Sequence, residues 1–450
     1  MQDTLPLPND ISSVDEPLTP REARLERAAR GVQLGAALNG LVALLLALVG
    51  IGAALLSVNG VYSALHTLLL FGFTGADDQA VIALLLLLLG NTSLLLVVMV
   101  GILAQELWAF VIGVLLLLGN VALLVTQGFT PALIALGALI WCTSVLLPDL
   151  RAFRTNPVMM KELRERMRGA RAFAVMTVYL SLMSAFSILL YIGFSPLSRG
   201  ISTSVTGELG RVLFAGVVGI ELVLIIFIAP AFTAGAVTGE RERKTYDLLQ
   251  ITLLPRPSFI MGKLESALGY ILLLLLAAIP LQSMAFLFGG VSEQEVGLSF
   301  AILIVTAVTL GTVGLFFSTI AERTLTASVR AYTFTFSLIF AVPAILGIIV
   351  SIISGFAYAP SGTALVSPFL EGTLIYLIQF IICLNPMATA LVTRDLLVSQ
   401  QTVGFYTTTL SSNGSTIPLV SPWIGFGIIY LVLAAVLLTL AIRRMRRSEL

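Results

Sequence analysis

Charge is scarce in this chain. Asp, Glu, Lys and Arg make up only 11% of its 450 residues, where soluble domains carry about 25%, so a soluble globular class is excluded. Histidine occurs once, at His66, and a histidine metal site can be dismissed. Cysteine occurs twice, at Cys142 and Cys383. Two thiols in this length cannot form a disulfide scaffold, and both lie in apolar segments, where inert core residues are expected. Neither H-E-x-x-H nor G-x-S-x-G is present, which leaves a membrane-embedded enzyme without a nucleophile and base to assemble. The start, MQDTLPLPNDISSVDEPLTP, lacks a basic opening followed by a short apolar run, so it is not expected to be a signal peptide.

What the chain has instead is 58% hydrophobic residues. A helix needs about 20 apolar residues to cross about 30 Å of hydrocarbon, and ten stretches come to that length. They lie near 33–57, 80–103, 107–126, 129–147, 172–194, 211–237, 264–289, 297–320, 332–355 and 421–442. The expected fold is an all-α integral membrane protein of about ten transmembrane helices. Two apolar pieces fit less well. The segment 60–73 is short, and 366–392 is interrupted by Pro368, Glu371 and the Asn385-Pro386 pair, so it reads as re-entrant or surface-lying.

Basic residues set the orientation. With the ten spans alternating from a cytoplasmic N-terminus, 22 of the 25 Lys and Arg residues fall inside, and only Arg199, Arg211 and Arg394 fall outside. That asymmetry is what the positive-inside rule asks for, with both termini cytoplasmic. Making 366–392 a full crossing would export Arg443, Arg444, Arg446 and Arg447. Net charge is only +1, so lipid is the expected surroundings and no nucleic-acid partner is implied. The excess of Arg over Lys, 22 to 3, suggests a GC-rich prokaryotic genome and hence an inner or plasma membrane.

Three regions are expected. Residues 1–31 read as a cytoplasmic tail, with prolines at 6, 8, 17 and 20 keeping it extended and disordered up to a helix-like piece bearing Arg21, Arg24, Arg27 and Arg30. Residues 32–147 form four closely spaced spans with almost no polar connection. Residues 148–450 form six spans with sizeable cytoplasmic loops, and no internal repeat relates the two sets.

Two cytoplasmic segments carry information. In NPVMMKELRERMRGARAF, Asn156 can cap a helix that starts at Pro157, where a missing N–H costs nothing. Met160, Leu163 and Met167 recur on one side, while Lys161, Arg164, Arg168 and Arg171 occupy the rest. Glu162 pairs with Arg166 at four-residue spacing. The result is an amphipathic helix, 157–171, lying along the inner membrane face; the bland reading is an elbow leading into the next span. The second segment is the loop 238–263. A block of five alternating charges, Glu240, Arg241, Glu242, Arg243 and Lys244, is followed by Thr245, an apolar stretch through Leu254, and Pro255 and Pro257, after which Ser258 can cap the next helix. A short packed element of this kind could serve as a handle through which a moving soluble partner displaces two spans; the bland reading is a solvated loop.

TAGAVTGERERKTYDLLQITLLPRPSFIMGKL resembles the signature loop of ATP-binding-cassette (ABC) permeases of the type 2 exporter class. The matches fall at Gly239, Glu240, Arg241, Glu242, Thr245, Leu248, Leu249, Gly262 and Lys263. Lys244 stands where that family frequently has glycine, and LLPRPS replaces its usual turn. The upstream NPVMMKELRERMRGARAF is similar to the family's interfacial helix, and the family's six-span domain corresponds to about residues 150–450. The four extra spans lie outside it. The resemblance implies a permease whose work is supplied by separate cytoplasmic ATPase subunits that hold ATP and Mg and grip the 157–171 helix, at Lys161, Glu162, Arg164 and Arg168, and the 239–254 loop. It also implies pairing with a second copy or a related permease. This chain has no G-x-x-x-x-G-K-[S/T] phosphate loop, since its only Gly-Lys, at 262 and 263, is followed by Leu264. No cofactor is expected on the chain itself.

Glu221 is the one carboxylate well inside a predicted span, with Pro230 nine residues on. Intramembrane acids are costly and usually face a cavity or a partner, so Glu221 is a candidate for the translocation path; the alternative is a hydrogen-bonded group that fixes helix packing. A secondary transporter should show broken helices and several embedded ionisable groups, and a non-transporting scaffold would suit the four extra spans. Few embedded charges are compatible with a lipid-like, apolar or peptide cargo.

Overall fold

A computed structural model describes residues 20–56, 78–127, 130–152, 156–168, 170–194, 205–245, 256–357, 367–412, 414 and 416–447. Residues 1–19 of the expected tail 1–31, the apolar piece 60–73 with His66, and Leu248 and Leu249 lie outside the described residues. The protein is an all-α integral membrane protein, with ten helices among the described residues long and apolar enough to cross a bilayer. In chain order these are α1 (Pro20–Leu56), α2 (Asp78–Ala104), α3 (Leu107–Gln127), α4 (Ala132–Leu146), α6 (Ala170–Phe194), α7 (Val205–Ala234), α9 (Arg256–Phe288), α10 (Glu293–Ile320), α11 (Thr324–Phe336) continuing into α12 (Val342–Ala357), and α15 (Pro422–Arg447). Two short helices sit between them, α5 (Pro157–Met167) and α8 (Thr238–Glu242).

The first region differs from expectation. Residues 21–30 are not a separate piece ahead of the span but the opening turns of α1, which starts at Pro20 and runs unbroken through Leu56. Gly31 and Gly35 do not interrupt it because α4 packs closely there. A Cβ on Gly31 would lie 2.6 Å from the Trp141 ring, and one on Gly35 would collide with Ala138. Arg24 is consequently positioned to pair with Asp149 at 2.8 Å, beyond the end of α4.

The segment 366–392 is a broken helix. Pro368 starts α13 (Pro368–Leu384), and α14 (Pro386–Gln400) follows at a bend of 117°. Asn385 makes the break. Its side-chain oxygen caps α14 by accepting the N–H groups of Met387 and Ala388 at 2.8 and 3.2 Å, and its Nδ2 donates to the Ile339 carbonyl at 3.0 Å. Ile339 lies in a π-helical turn, Ser337–Ala341, between α11 and α12. Such turns leave carbonyls available for outside donors.

A β-hairpin that hydropathy does not reveal follows the broken helix. Strands β1 (Phe405–Thr409) and β2 (Thr416–Val420) pair antiparallel, Phe405 opposite Val420 and Thr409 opposite Thr416. It is pinned to α13. Tyr376 donates to the Pro418 carbonyl and Gln379 to the Val420 carbonyl, each at 2.6 Å. Glu371, 1% exposed, accepts the N–H groups of Ser411 and Ser412 at 2.7 and 3.0 Å. That buried acid is therefore a turn anchor.

One hydrophobic core joins the four-span and six-span regions: Leu25, Ala28, Leu95, Val98 and Leu139 pack in a continuous cluster with Ile260, Leu264, Leu438 and Ile442. Contacts also sort the helix ends. The segments around 105–106, 147–152, 156–168, 235–245, 256–263 and 321–324 meet at one end of the molecule, through Arg24–Asp149, Asn156–Glu106, Lys263–Glu240 and Glu242–Thr324. This is the charged end. The turn 289–292, which Arg211 reaches by donating to the Gly290 carbonyl at 2.6 Å, marks the other.

Candidate coupling site at the charged end

The site is built on α5, α8 and the first turns of α9. Asn156 caps α5 by accepting the Val158 N–H at 2.9 Å, ahead of Pro157 at the first helical position. The helix ends at Met167, four residues short of the expected 171, because Arg168 adopts extended backbone. Met160 and Met167 are 46% and 48% exposed, and Glu162, Leu163 and Arg166 face the protein. Arg166 donates to the Phe232 carbonyl at 3.3 Å and lies over the Phe232 ring at 5.7 Å, which fastens α5 to the end of α7.

The centre of the site is Lys263, 6% exposed. Its ammonium pairs with Glu162 of α5 and, at 2.7 Å, with Glu240 of α8. Glu162 also accepts the Ser266 hydroxyl at 3.2 Å. Gly262 lets α9 approach the α5 cap, since a Cβ there would lie 2.8 Å from the Asn156 side-chain oxygen. The Gly262-Lys263 pair thus has two jobs: the glycine admits Asn156, and the lysine ties three elements together.

Each charge in α8 has its own attachment. Arg241 donates to the carbonyls of Ala321 and Thr319 at the end of α10, at 3.0 and 3.4 Å. Glu242 accepts the Thr324 N–H at 2.7 Å and its hydroxyl at 2.9 Å, at the start of α11. Cations at helix C-termini and anions at helix N-termini are favourable placements for the helix dipole. Ahead of α8, the N–H groups of Val237 and Thr238 donate to the Ser318 hydroxyl at 2.9 and 3.1 Å. Thr245 donates to the Glu240 carboxylate. Glu240, Arg241, Glu242 and Glu162 are therefore internal ties. Glu242 is exposed although tied, and the other outward-facing members of the predicted set are Arg243, Lys244, Lys161, Arg164 and Arg168.

Lys244 closes α8 in the left-handed region, at φ 56°. Its N–H reaches the Arg241 carbonyl and the Thr245 N–H reaches the Glu240 carbonyl, both at 3.0 Å. These are the paired bonds of a Schellman ending, whose left-handed position usually holds glycine. Between α5 and α8 runs a cleft of about 570 Å³, with Glu165, Arg166 and Arg168 on one wall and Gly239, Glu240 and Arg243 on the other.

No family model and no curated protein matches this chain. The site must therefore be judged on its own geometry.

Glu221 lies elsewhere. It is fully buried in α7, accepts a hydrogen bond from Gln282 of α9 at 2.7 Å, and its other oxygen has no hydrogen-bond partner. Gly314 sets the neighbouring approach of α10 to α7, since a Cβ there would lie 2.9 Å from the Pro230 carbonyl oxygen. Both cysteines are buried free thiols. Ser258 does not begin α9, which starts at Arg256; its hydroxyl and carbonyl instead accept the Asn156 amide at 3.1 and 2.6 Å. The same amide donates to Glu106 at 2.6 Å. Sequence reasoning passed over Glu106 because it lies in a two-residue turn between apolar runs, and its partner is 50 residues away.

Proposed function

We propose that this protein is the membrane permease subunit of an ABC-type exporter, driven by separate cytoplasmic ATPase subunits that hold ATP and Mg. The observation that carries the reading is the wiring of α8: three consecutive charges attach it to α9, α10 and α11, while Arg243 and Lys244 face outward. A force on the outward residues would reach three spans through short bonds, which a floppy linker would dissipate. Arg166 and Glu162 extend the same connection to α7 and α9 through α5.

In this reading the charged end is cytoplasmic, in the inner or plasma membrane, with both termini on that side. A docking partner presents acidic groups to Lys161, Arg164, Arg168, Arg243 and Lys244, and a second copy of the chain or a related permease completes the assembly. Nucleotide-driven closure of the ATPases then moves α5 and α8 together and switches the spans between inward-open and outward-open states. Glu221 serves helix packing on this view, since its carboxylate is enclosed rather than presented to a path. The broken helix α13–α14 is the one feature that favours a secondary transporter, but its buried acid, Glu371, is occupied with the β-hairpin.

Copurification tests the proposal. Detergent-solubilised protein should carry a Walker-type ATPase, and Arg243→Glu with Lys244→Glu should insert normally yet lose coupled ATP hydrolysis. Absence of any such ATPase, or hydrolysis unchanged by the double reversal, would defeat it.

A further inference from the structure

A cavity of about 750 Å³ lies where the four-span region meets the six-span region, walled by α2, α3, α9, α10 and α15. That volume falls in the usual range of small-molecule sites, about 300–1,000 Å³. Its lining is apolar apart from Thr312 and, at the charged end, Glu106 and Glu265, which converge there with Trp108. The mouth opens sideways along the apolar belt, past Leu107, Val111, Leu272 and Ile304, each more than two-fifths exposed. In a membrane that opening faces acyl chains rather than water.

Two carboxylates meet at one end of this apolar space. Glu106 is 2% exposed and accepts only the Asn156 amide; Glu265 accepts the Trp108 indole N–H at 2.6 Å. Among the described residues neither is in an ion pair. Lys263, although two residues from Glu265, is committed to Glu162 and Glu240 on another face of α9. Buried anions without a cation are costly, and burial together with Glu265 pushes the Glu106 carboxyl up to about 7.

We propose that this cavity binds an amphiphile of the bilayer with a protonated amine head, the head between Glu106 and Glu265 and the chain along Leu272, Leu275 and Ile304. The arrangement matches how such a molecule already lies in a leaflet. The carboxylates sit toward the charged end, Glu106 between two candidate spans and Glu265 in the first turns of α9, and the aliphatic wall runs from there along α9 and α10. An anionic head would be repelled. A neutral head would leave both carboxylates uncompensated. The site does not depend on the ATPase reading and would exist without it.

Trp108 reports occupancy directly. In the full-length protein with Trp141→Phe and Trp423→Phe, it is the only tryptophan left. Dibrominated octadecylamine, the corresponding alcohol and the corresponding fatty acid are titrated against it in lipid nanodiscs. The amine should quench Trp108 at about tenfold lower mole fraction than the alcohol, a difference of about 1.4 kcal/mol, with the acid weakest. Glu106→Gln together with Glu265→Gln should bring amine and alcohol level, and Ala435→Phe, which fills the cavity, should abolish quenching by both. If either variant fails to fold, Glu265→Gln alone should still reduce the amine preference. Equal quenching by all three probes in the parent protein, or a preference that survives Glu265→Gln, would overturn the proposal. So would quenching by none of them, the result expected if another copy of the chain covers the mouth.

Discussion

Glu240 and Lys263 meet at 2.7 Å, and the same lysine pairs with Glu162. A single buried cation therefore holds together the interfacial helix, the short α8 and the membrane helix α9. Two membrane helices, α6 and α7, separate α5 from the other two in the chain, and the tie is what turns a charged loop into a stiff one.

Removing that cation should be costly. Lys263→Met leaves two largely buried carboxylates facing each other, and breaking a buried pair by removing one partner costs about 3 kcal/mol or more. Denaturant unfolding in detergent should register that loss. Lys263→Met combined with Glu162→Gln and Glu240→Gln should recover most of it, since no unpaired charge then remains. A single variant as stable as the parent would mean the three elements are held by something else.

Lys244 predicts the opposite sign. A left-handed conformation costs a non-glycine residue about 1 kcal/mol, and the Schellman ending it closes suits glycine. Lys244→Gly should therefore stabilise the protein by about 0.5–1 kcal/mol after the extra entropy of glycine in the unfolded chain is offset. Lys244→Val should destabilise it by more, because a branched Cβ tolerates that conformation worst. Thermal unfolding of the two variants against the parent decides, and a destabilised Lys244→Gly would contradict the backbone geometry at this turn.

Much of this architecture was legible in the sequence because its signals are local. Runs of about 20 apolar residues mark the spans, and the Asn156-Pro157 pair marks the start of α5. The resemblance at Gly262 and Lys263 pointed at two residues whose contacts the structure explains. What stayed hidden is long-range. An alternating run such as Glu240 to Lys244 has no period that says which charges are tied to neighbouring helices, and here the first three are, to partners 23 to 82 residues away. The contacts of α5 stayed hidden for a related reason. At a membrane surface methionines can face lipid, so hydrophobicity does not identify the buried side, and Glu162 and Arg166 took that side through specific partners. The hairpin was missed because its alternation, in FYTTT and TIPLV, is weak beside the hydropathy of the spans.

The pH dependence follows from Glu106. Burial raises its carboxyl to about 7, Glu265 adds to the rise, and the Asn156 hydrogen bond opposes it. An acid raised in the folded state binds its proton more tightly there than in the unfolded chain, so stability falls as pH climbs from the ordinary glutamate range toward about 7 and levels off above it. The loss over that window should be at most about 3 kcal/mol, reduced by whatever solvent screening reaches the carboxyl. Other carboxylates titrate as well, so the comparison is with Glu106→Gln: the parent should lose stability relative to this variant between pH 5 and 8, as read by thermal unfolding. A constant difference across the window would show that Glu106 keeps an ordinary proton affinity.

The last prediction concerns the four-span region, where polar groups are few. Asn91 of α2 and Asn120 of α3 are 6% and 2% exposed and exchange hydrogen bonds, at 2.7 and 3.2 Å. Within a bilayer such a reciprocal amide pair is the strongest specific link available between two aliphatic helices. Even so, measured links of this kind average only about 0.6 kcal/mol and rarely exceed about 1.7. Asn91→Leu or Asn120→Leu alone strands an amide in hydrocarbon, and each should destabilise by about 1–2 kcal/mol. The double replacement restores an apolar interface and should cost less than the two single changes added together. A double-mutant cycle read by denaturant unfolding should therefore give a coupling of about 0.5–1.5 kcal/mol. Strict additivity would mean that α2 and α3 are held by packing alone and the amides contribute no link.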